Sequence, residues 1–236
     1  MDETTAGSIQ TAQRDYSTQA PGPYPACSAF AMLTFGWIAT GVLSGNLMRF
    51  DVQTRALVHQ LTTPGITTLA RLASTVASAA FLMPLFLVVA TILLLSDSRK
   101  EVARLALVMT GATLIELTLK HSFHRARPLS FFADPGLSTS SFPSGHALAA
   151  FCFYGQLAAI IASRIDSKTV RALIWSAAGA LIVAVGFSRI YLGVHYTSDV
   201  IAGYAAAAAW SSGLAAARDS QHFILVRAPR SSRLQS

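Results

Sequence analysis

The residues best suited to chemistry fall in three short groups between positions 120 and 199. In the last group, Ser188-Arg189 is followed by His195 and then Asp199. His195 and Asp199 are four apart, so on the helical start of an apolar segment they share one face. A carboxylate on one ring nitrogen fixes the tautomer and leaves the other nitrogen free as base or nucleophile. Arg189, ending the preceding apolar run, could hold the anion that His195 attacks. The plainer alternative is an interfacial His–Asp pair that closes a helix–helix turn. In the middle group, Pro143-Ser144-Gly145-His146, a proline and a cap-type serine mark a helix N-terminus. Free N–H groups and the positive dipole end favour an oxyanion there, and Gly145 lets the backbone approach it. His146 then sits in the first turn beside the bound group; otherwise this is an ordinary capped helix whose histidine faces headgroups. The first group, Lys120 with Arg127-Pro128, adds two cations, and alone it would pass for lipid-binding loop residues.

The elements that position these groups are apolar to an unusual degree. Hydrophobic residues make up 53% of the 236 and charged residues 12%, with a mean hydropathy of +0.48. A soluble globular chain carries about 25% charged residues, so this one has too few to clothe its own surface in water. The same figures exclude overall disorder. Cys27 and Cys152 each lie in an apolar run without metal-type spacing and read as small apolar residues. Residues 1–26, polar and proline-bearing, read as a flexible tail without the basic start of a secretory signal. Cys27–Met48 then runs 22 residues without a charge, roughly 33 Å of helix against a bilayer core of about 30 Å.

Five further spans follow: one inside 72–96 with a kink expected at Pro84, then Leu105–Leu119, Ser144–Ser163, Ala172–Ser188 and Val200–Ala217. Arg49–Ala70 is mixed and reads as a short helix and loop along the interface, and 218–236 as a flexible basic tail. With six spans both termini share a side, which collects eleven Lys and Arg against seven on the other. The positive-inside rule makes that side cytoplasmic, although the flanks of the first span alone, Arg14 against Arg49 and Arg55, argue the reverse. Small residues such as Gly179, Gly203 and Ala205–Ala209 allow close helix packing in lipid.

Against this layout the polar residues are asymmetric. His121, His124, His146 and His195, with Lys120, Arg125, Arg127 and Arg189, all gather at the outer ends of spans or in the outer loops. Charge at membrane depth is costly, so such clustering points to function. Cations outnumber carboxylates there, which suits an anionic ligand, and guanidinium groups match phosphate oxygens in bidentate geometry. The net charge of +7 does not make a nucleic-acid binder, because the cations divide between two sides of a membrane.

Taken together, the three groups resemble the type 2 phosphatidic acid phosphatase superfamily, which also includes vanadium-dependent haloperoxidases. Its signature is K-x6-R-P, then P-S-G-H, then S-R-x5-H-x3-D, and all eleven specified positions match: Lys120, Arg127-Pro128, Pro143 to His146, Ser188-Arg189, His195 and Asp199. The motifs cover about 120–199 and the six-span layout extends the likeness over 27–217. The resemblance implies an all-α integral membrane bundle of six transmembrane helices, its active site at the outer face of the cytoplasmic membrane. It implies that His195 attacks phosphorus and carries a phosphohistidine, that Asp199 orients it, and that His146 protonates the leaving group and then helps activate water. Lys120, Arg127, Arg189, Ser144 and Gly145 would cradle the phosphoryl oxygens, so no metal or cofactor is required.

The expected substrate and partner is a phosphorylated membrane lipid: undecaprenyl diphosphate, phosphatidylglycerophosphate, phosphatidic acid or a lipid A phosphate. A lipid phosphotransferase and a non-catalytic lipid-phosphate binder are the alternatives; a vanadate haloperoxidase is disfavoured because those relatives are soluble. Outside the signature, Arg125 reads as a rim residue meeting lipid or substrate, and His121 and His124 as loop residues. Glu116 reads either as an ion-pair partner of Lys120 or as its positioning group. Asp134 carries no assigned role.

Overall fold

A computed structural model describes residues 22–132 and 139–227, which are all helix, turn and loop without a strand. Eight helices follow in order: α1 Tyr24–Leu43, α2 Met48–His59, α3 Pro64–Thr75, α4 Ala79–Leu95, α5 Arg99–Phe123, α6 Gly145–Ala162, α7 Lys168–Tyr191 and α8 Thr197–Arg227. Five of them, α1, α5, α6, α7 and the Thr197–Ser220 part of α8, are long and apolar enough to cross a bilayer. The pair α3 and α4, bent by 53° at a short break, makes up to a sixth span. The protein is therefore a multi-pass helical bundle. Its large apolar side chains point outward as well as inward: Phe30, Leu33 and Trp37 on α1, and Leu87 and Leu95 on α4, are exposed. Lipid rather than water is the solvent such faces suit.

Several boundaries differ from those the sequence suggests. The first span ends at Leu43 because Gly45 takes a left-handed φ of 74°, and Met48 opens α2 instead of closing α1. The segment 49–70 holds α2 and the start of α3, where Thr63 caps the helix by accepting from the Ile66 N–H. Pro84 lies inside α4, while the sharp bend falls between Thr75 and Ala79. α5 begins within the basic cluster at Arg99, where Arg104 pairs with Glu101 at 3.0 Å. α8 continues through 218–227, a stretch the sequence reading assigns to a tail. The tail expected over 1–26 gives way to α1 at Tyr24; its residues 1–21, Asp134 and residues 228–236 lie outside the described residues. Both cysteines are free thiols, Cys27 exposed and Cys152 buried.

The bundle is built around α6, which contacts α5, α7 and α8, while α1 runs along α8. One core layer joins Leu82, Leu105, Phe153 and Val185, and a second joins Val108, Leu148, Cys152 and Ala207. The small-residue run of α8 has a geometric purpose. A Cβ on Gly203 would come within 2.7 Å of the Ser144 carbonyl oxygen, so only glycine lets α8 reach the first turn of α6. At the same end of the bundle, α2, the loop after α5 and the turn between α7 and α8 converge: Arg55 Nη2 donates to the Leu129 carbonyl and, at 3.2 Å, to that of Gly193.

Candidate active site

The turn from α7 into α8 places two of the most deeply buried titratable groups. Gly193 supplies the positive φ, 75°, that reverses the chain, and the His195 N–H donates to the Arg189 carbonyl at 3.3 Å. Four residues on, in the first turn of α8, Asp199 is fully buried, and His195 is only 2% exposed. His195 Nδ1 stands 3.4 Å from Asp199 Oδ2, ion-pair distance without hydrogen-bond alignment. Asp199 Oδ2 itself accepts from the Tyr196 N–H at 2.9 Å. On the other side of the ring, Nε2 is 3.1 Å from Arg127 Nη1. A guanidinium can only donate, so Nε2 is an acceptor and the ring proton belongs on Nδ1, facing Asp199. Burial pushes the His195 imidazole down to about 4, with Asp199 opposing and Arg127 and Arg189 adding to the shift. The ring is thus neutral at pH 7 and presents a lone pair at Nε2.

Arg127 is held from three sides: Nε donates to the Thr139 carbonyl at 2.9 Å, Nη1 to the Val194 carbonyl at 3.1 Å, and Nη2 to Thr139 Oγ1 at 3.1 Å. Burial lowers its pKa from the ordinary value, with Asp199 and Glu116 countering. The start of α6 is tied to the His–Asp turn through backbone, since the Ser144 N–H donates to the Asp199 carbonyl at 2.9 Å. Ser144 stands at the cap position as expected, but its hydroxyl caps nothing. Buried, it has no hydrogen-bond partner among the described residues. An unspent hydroxyl at a helix N-terminus is what an oxyanion would take up. His146, in the first turn of α6, lies in the positive field of Arg189, Lys120 and Arg127, with His195 also in reach.

Lys120 and Arg189 complete the set. Lys120 Nζ pairs with Glu116 Oε1 at 2.5 Å, one turn back on α5. The Glu116 carboxylate also packs on Gly145, where an added Cβ would come within 1.9 Å of it. Both readings of Glu116 thus share one contact: it is the ion-pair partner of Lys120, and it sits directly against the P-S-G-H turn. Arg189 is buried, and its Nη1 donates to Ser74 Oγ at the end of α3. The structure therefore brings together His195, Asp199 and Arg127 by direct contact, with Ser144 joined through backbone and Gly145 to Lys120 through Glu116. Among the described residues no group of three His, Cys, Asp or Glu side chains could hold a metal ion.

One reading requires correction. Arg125 is no rim residue: its side chain is 9% exposed and bridges Asp199 Oδ1 at 2.5 Å and Asp51 Oδ2 at 2.7 Å. Sequence reasoning missed Asp51 altogether, leaving it in a mixed interfacial stretch. A signal was available, because Asp51 is the lone acid between Asp15 and Asp97. His121 and His124 are exposed, and His124 closes α5 in a left-handed conformation.

A multi-pass helical bundle carrying a buried His–Asp pair, two flanking arginines and a helix N-terminus at one end is the class this fold and site define. Comparison with known proteins assigns it: residues 101–222 match the PAP2 superfamily model, and the chain belongs to that superfamily. Phosphatidylglycerophosphatase B of Bacillus subtilis (strain 168) is 30% identical over 128 residues, spanning 54% of this chain and 63% of that protein. Among solved structures, a transmembrane PAP2 type phosphatidylglycerolphosphate phosphatase from Bacillus subtilis superposes with a TM-score of 0.74 at 24% identity, over 82% of this chain and 96% of that one. Aquifex aeolicus LpxE superposes with a TM-score of 0.53 at 23% identity, over 72% and 95% of the two chains.

Proposed function

We propose that this protein is a membrane phosphatase that hydrolyses a phosphomonoester or diphosphate on a membrane lipid, through a phosphohistidine on His195 and without a metal. The observation that carries the reading is the buried His195 ring, with Nδ1 toward Asp199 and Nε2 beside Arg127. Nε2 attacks phosphorus as the P–O bond to the lipid breaks, and His146, which takes up a proton as the bound phosphate offsets the surrounding cations, delivers that proton to the departing oxygen. Neutral His146 then takes a proton from water as the water oxygen attacks the phosphohistidine, which releases inorganic phosphate and restores His195. Arg127, Arg189, Lys120, the Ser144 hydroxyl and the Gly145 N–H hold the phosphoryl oxygens; removing one such donor typically costs about 10²–10³ in kcat.

The lipid part of the reading is supported by the apolar outer faces of the bundle. An apolar cavity of about 330 Å³, lined by Trp37, Ile38, Leu47, Phe50 and Ile201, borders Ser198 next to Asp199 and is of a kind that accepts an acyl chain. The likeness to phosphatidylglycerophosphatase B puts phosphatidylglycerophosphate first among the candidates, ahead of phosphatidic acid, undecaprenyl diphosphate and lipid A phosphates. The charge bias between loops supports both termini in the cytoplasm and a site that opens outward from the cytoplasmic membrane.

The test is phosphate release in detergent micelles with excess EDTA across those four lipids. Release that persists in EDTA and disappears in His195→Ala supports the reading. No release from any of them by folded protein overturns it in favour of a lipid phosphotransferase or a lipid-phosphate binder.

A further inference from the structure

Arg125 poses an electrostatic problem. It fixes Asp199 by donating Nη1 to Oδ1 at 2.5 Å, yet a cation bonded to that carboxylate cancels the charge that should serve His195. When Nε2 bonds to phosphorus with Nδ1 protonated, the ring becomes cationic, and a neutral Arg125–Asp199 pair would do little to offset it. Asp51 resolves this. Its carboxylate, 0% exposed on α2, accepts from Arg125 Nη2 at 2.7 Å, from Ser198 Oγ at 2.6 Å and from the Ser198 N–H at 2.8 Å. Ser198 Oγ in turn accepts from Arg125 Nη1 at 2.8 Å. The guanidinium carbon lies over the Tyr196 ring, 4.3 Å from its centroid. Asp51, Arg125 and Asp199 together carry one net negative charge beside His195.

We propose that Asp51 is a positioning residue for the reaction: acting through Arg125 and Ser198, it holds the Asp199 carboxylate in place while leaving it a full uncompensated charge for the phosphorylated histidine. Asp51 lies outside the segment 101–222 that matches the family model, 148 positions from Asp199, so the site draws on a helix that the signature does not include. Stability is a poor explanation for the arrangement, because buried charge networks are often no more stabilising than apolar packing of the same volume. The inference rests on His195 being the nucleophile.

The test is a double-mutant cycle on the full-length protein in micelles, with a ³²P-labelled lipid phosphate to follow slow turnover. Asp51→Asn keeps the shape and removes the charge. By analogy with the outer partners of other catalytic groups, it should lower kcat about 10- to 100-fold, with KM within about threefold and the melting temperature little changed. In an Asp199→Asn background the same substitution should change kcat by less than about threefold, because there is no longer a charge to protect. If Asp51→Asn does not fold, Ser198→Ala carries the cycle: it removes the two hydroxyl bonds of the relay, to Asp51 and from Arg125, keeps every charge, and should cost severalfold in kcat only when Asp199 is intact. His195→Ala separates the two levels of the argument. If it remains active, the nucleophile assignment fails first. If it is inactive while Asp51→Asn keeps full kcat, or loses kcat by a factor that multiplies undiminished onto Asp199→Asn, the role of Asp51 alone is overturned.

Discussion

The two halves of the site are built differently. On the side of the proposed nucleophile, His195 and Asp199 are 2% and 0% exposed and are backed by Arg125, Ser198 and Asp51, all closed off from solvent or nearly so. On the proposed anion-binding side Ser144 and Arg189 are buried too, but Lys120 and Glu116 keep 18% and 25% of their side-chain surface. Their contact is a single helical pair that an incoming phosphate would have to compete with. On the proposed mechanism the first half is set before substrate arrives, and the Lys120–Glu116 pair exchanges partners when it binds. Arg127 spans the two, touching His195 on one side and the loop at Thr139 and Ser140 on the other. Preorganisation is concentrated beside His195, where the proposed mechanism develops charge in the transition state and where it would contribute most.

The largest test of that division is His195→Ala, expected to reduce turnover by about 10⁶ with an unchanged melting temperature in detergent; residual activity near wild type would mean the buried half is structural. Asp199→Asn should cost about 10⁴ in kcat, read as steady-state phosphate release, and a rate equal to wild type would mean the pair never orients the ring. Gly203→Ala would press a Cβ against the Ser144 carbonyl, and should destabilise the protein by about 1–3 kcal/mol while pulling the two halves apart; thermal unfolding in micelles reads it. The pH dependence sharpens the contrast from another side. Because burial lowers the His195 pKa to about 4, the ring stays neutral until the pH falls well below the ordinary histidine value of about 6.5. The acid limb of kcat/KM assigned to His195 should therefore lie near pH 4, and protonation below it should remove the nucleophile. A limb at 6.5 that vanishes with His195 would show a solvated ring. The smallest effect belongs to the exchangeable half: Glu116→Gln frees Lys120 from its competitor, and inhibition by vanadate should tighten severalfold.

The same division explains what was legible in the sequence. His195 with Asp199, and Ser144 with Gly145 and His146, are readable because each group is organised by one turn of helix, and spacing along the chain maps directly onto distance. The Arg127–His195 contact and the Ser144–Asp199 backbone bond follow once those turns are brought together. Asp51 and Arg125 are different. Their partnership joins α2, the loop after α5 and α8, and no local pattern encodes it; an arginine two residues before Arg127 looks like any loop cation until its carboxylates are located. The span limits went astray for a related reason, since hydropathy reports where charges are absent and not where a left-handed glycine such as Gly45 stops a helix. The unspent hydroxyl of Ser144 is implied only by the family resemblance, because local pattern alone has a serine before a helix cap it.

The hydrogen bond from the Ser144 N–H to the Asp199 carbonyl has a bearing on how such a protein can diversify. It belongs to the main chain, so no exchange of the Ser144 or Asp199 side chain short of proline at 144 removes its donor or its acceptor, and the spacing between the two elements does not depend on which side chains stand at those two positions. The faces turned toward the bilayer on α1 and α4 carry no such obligation. They are free to drift with the membrane the protein inhabits and with the tails of the lipids it meets, while the distance across which a phosphoryl group must move stays where the backbone has put it.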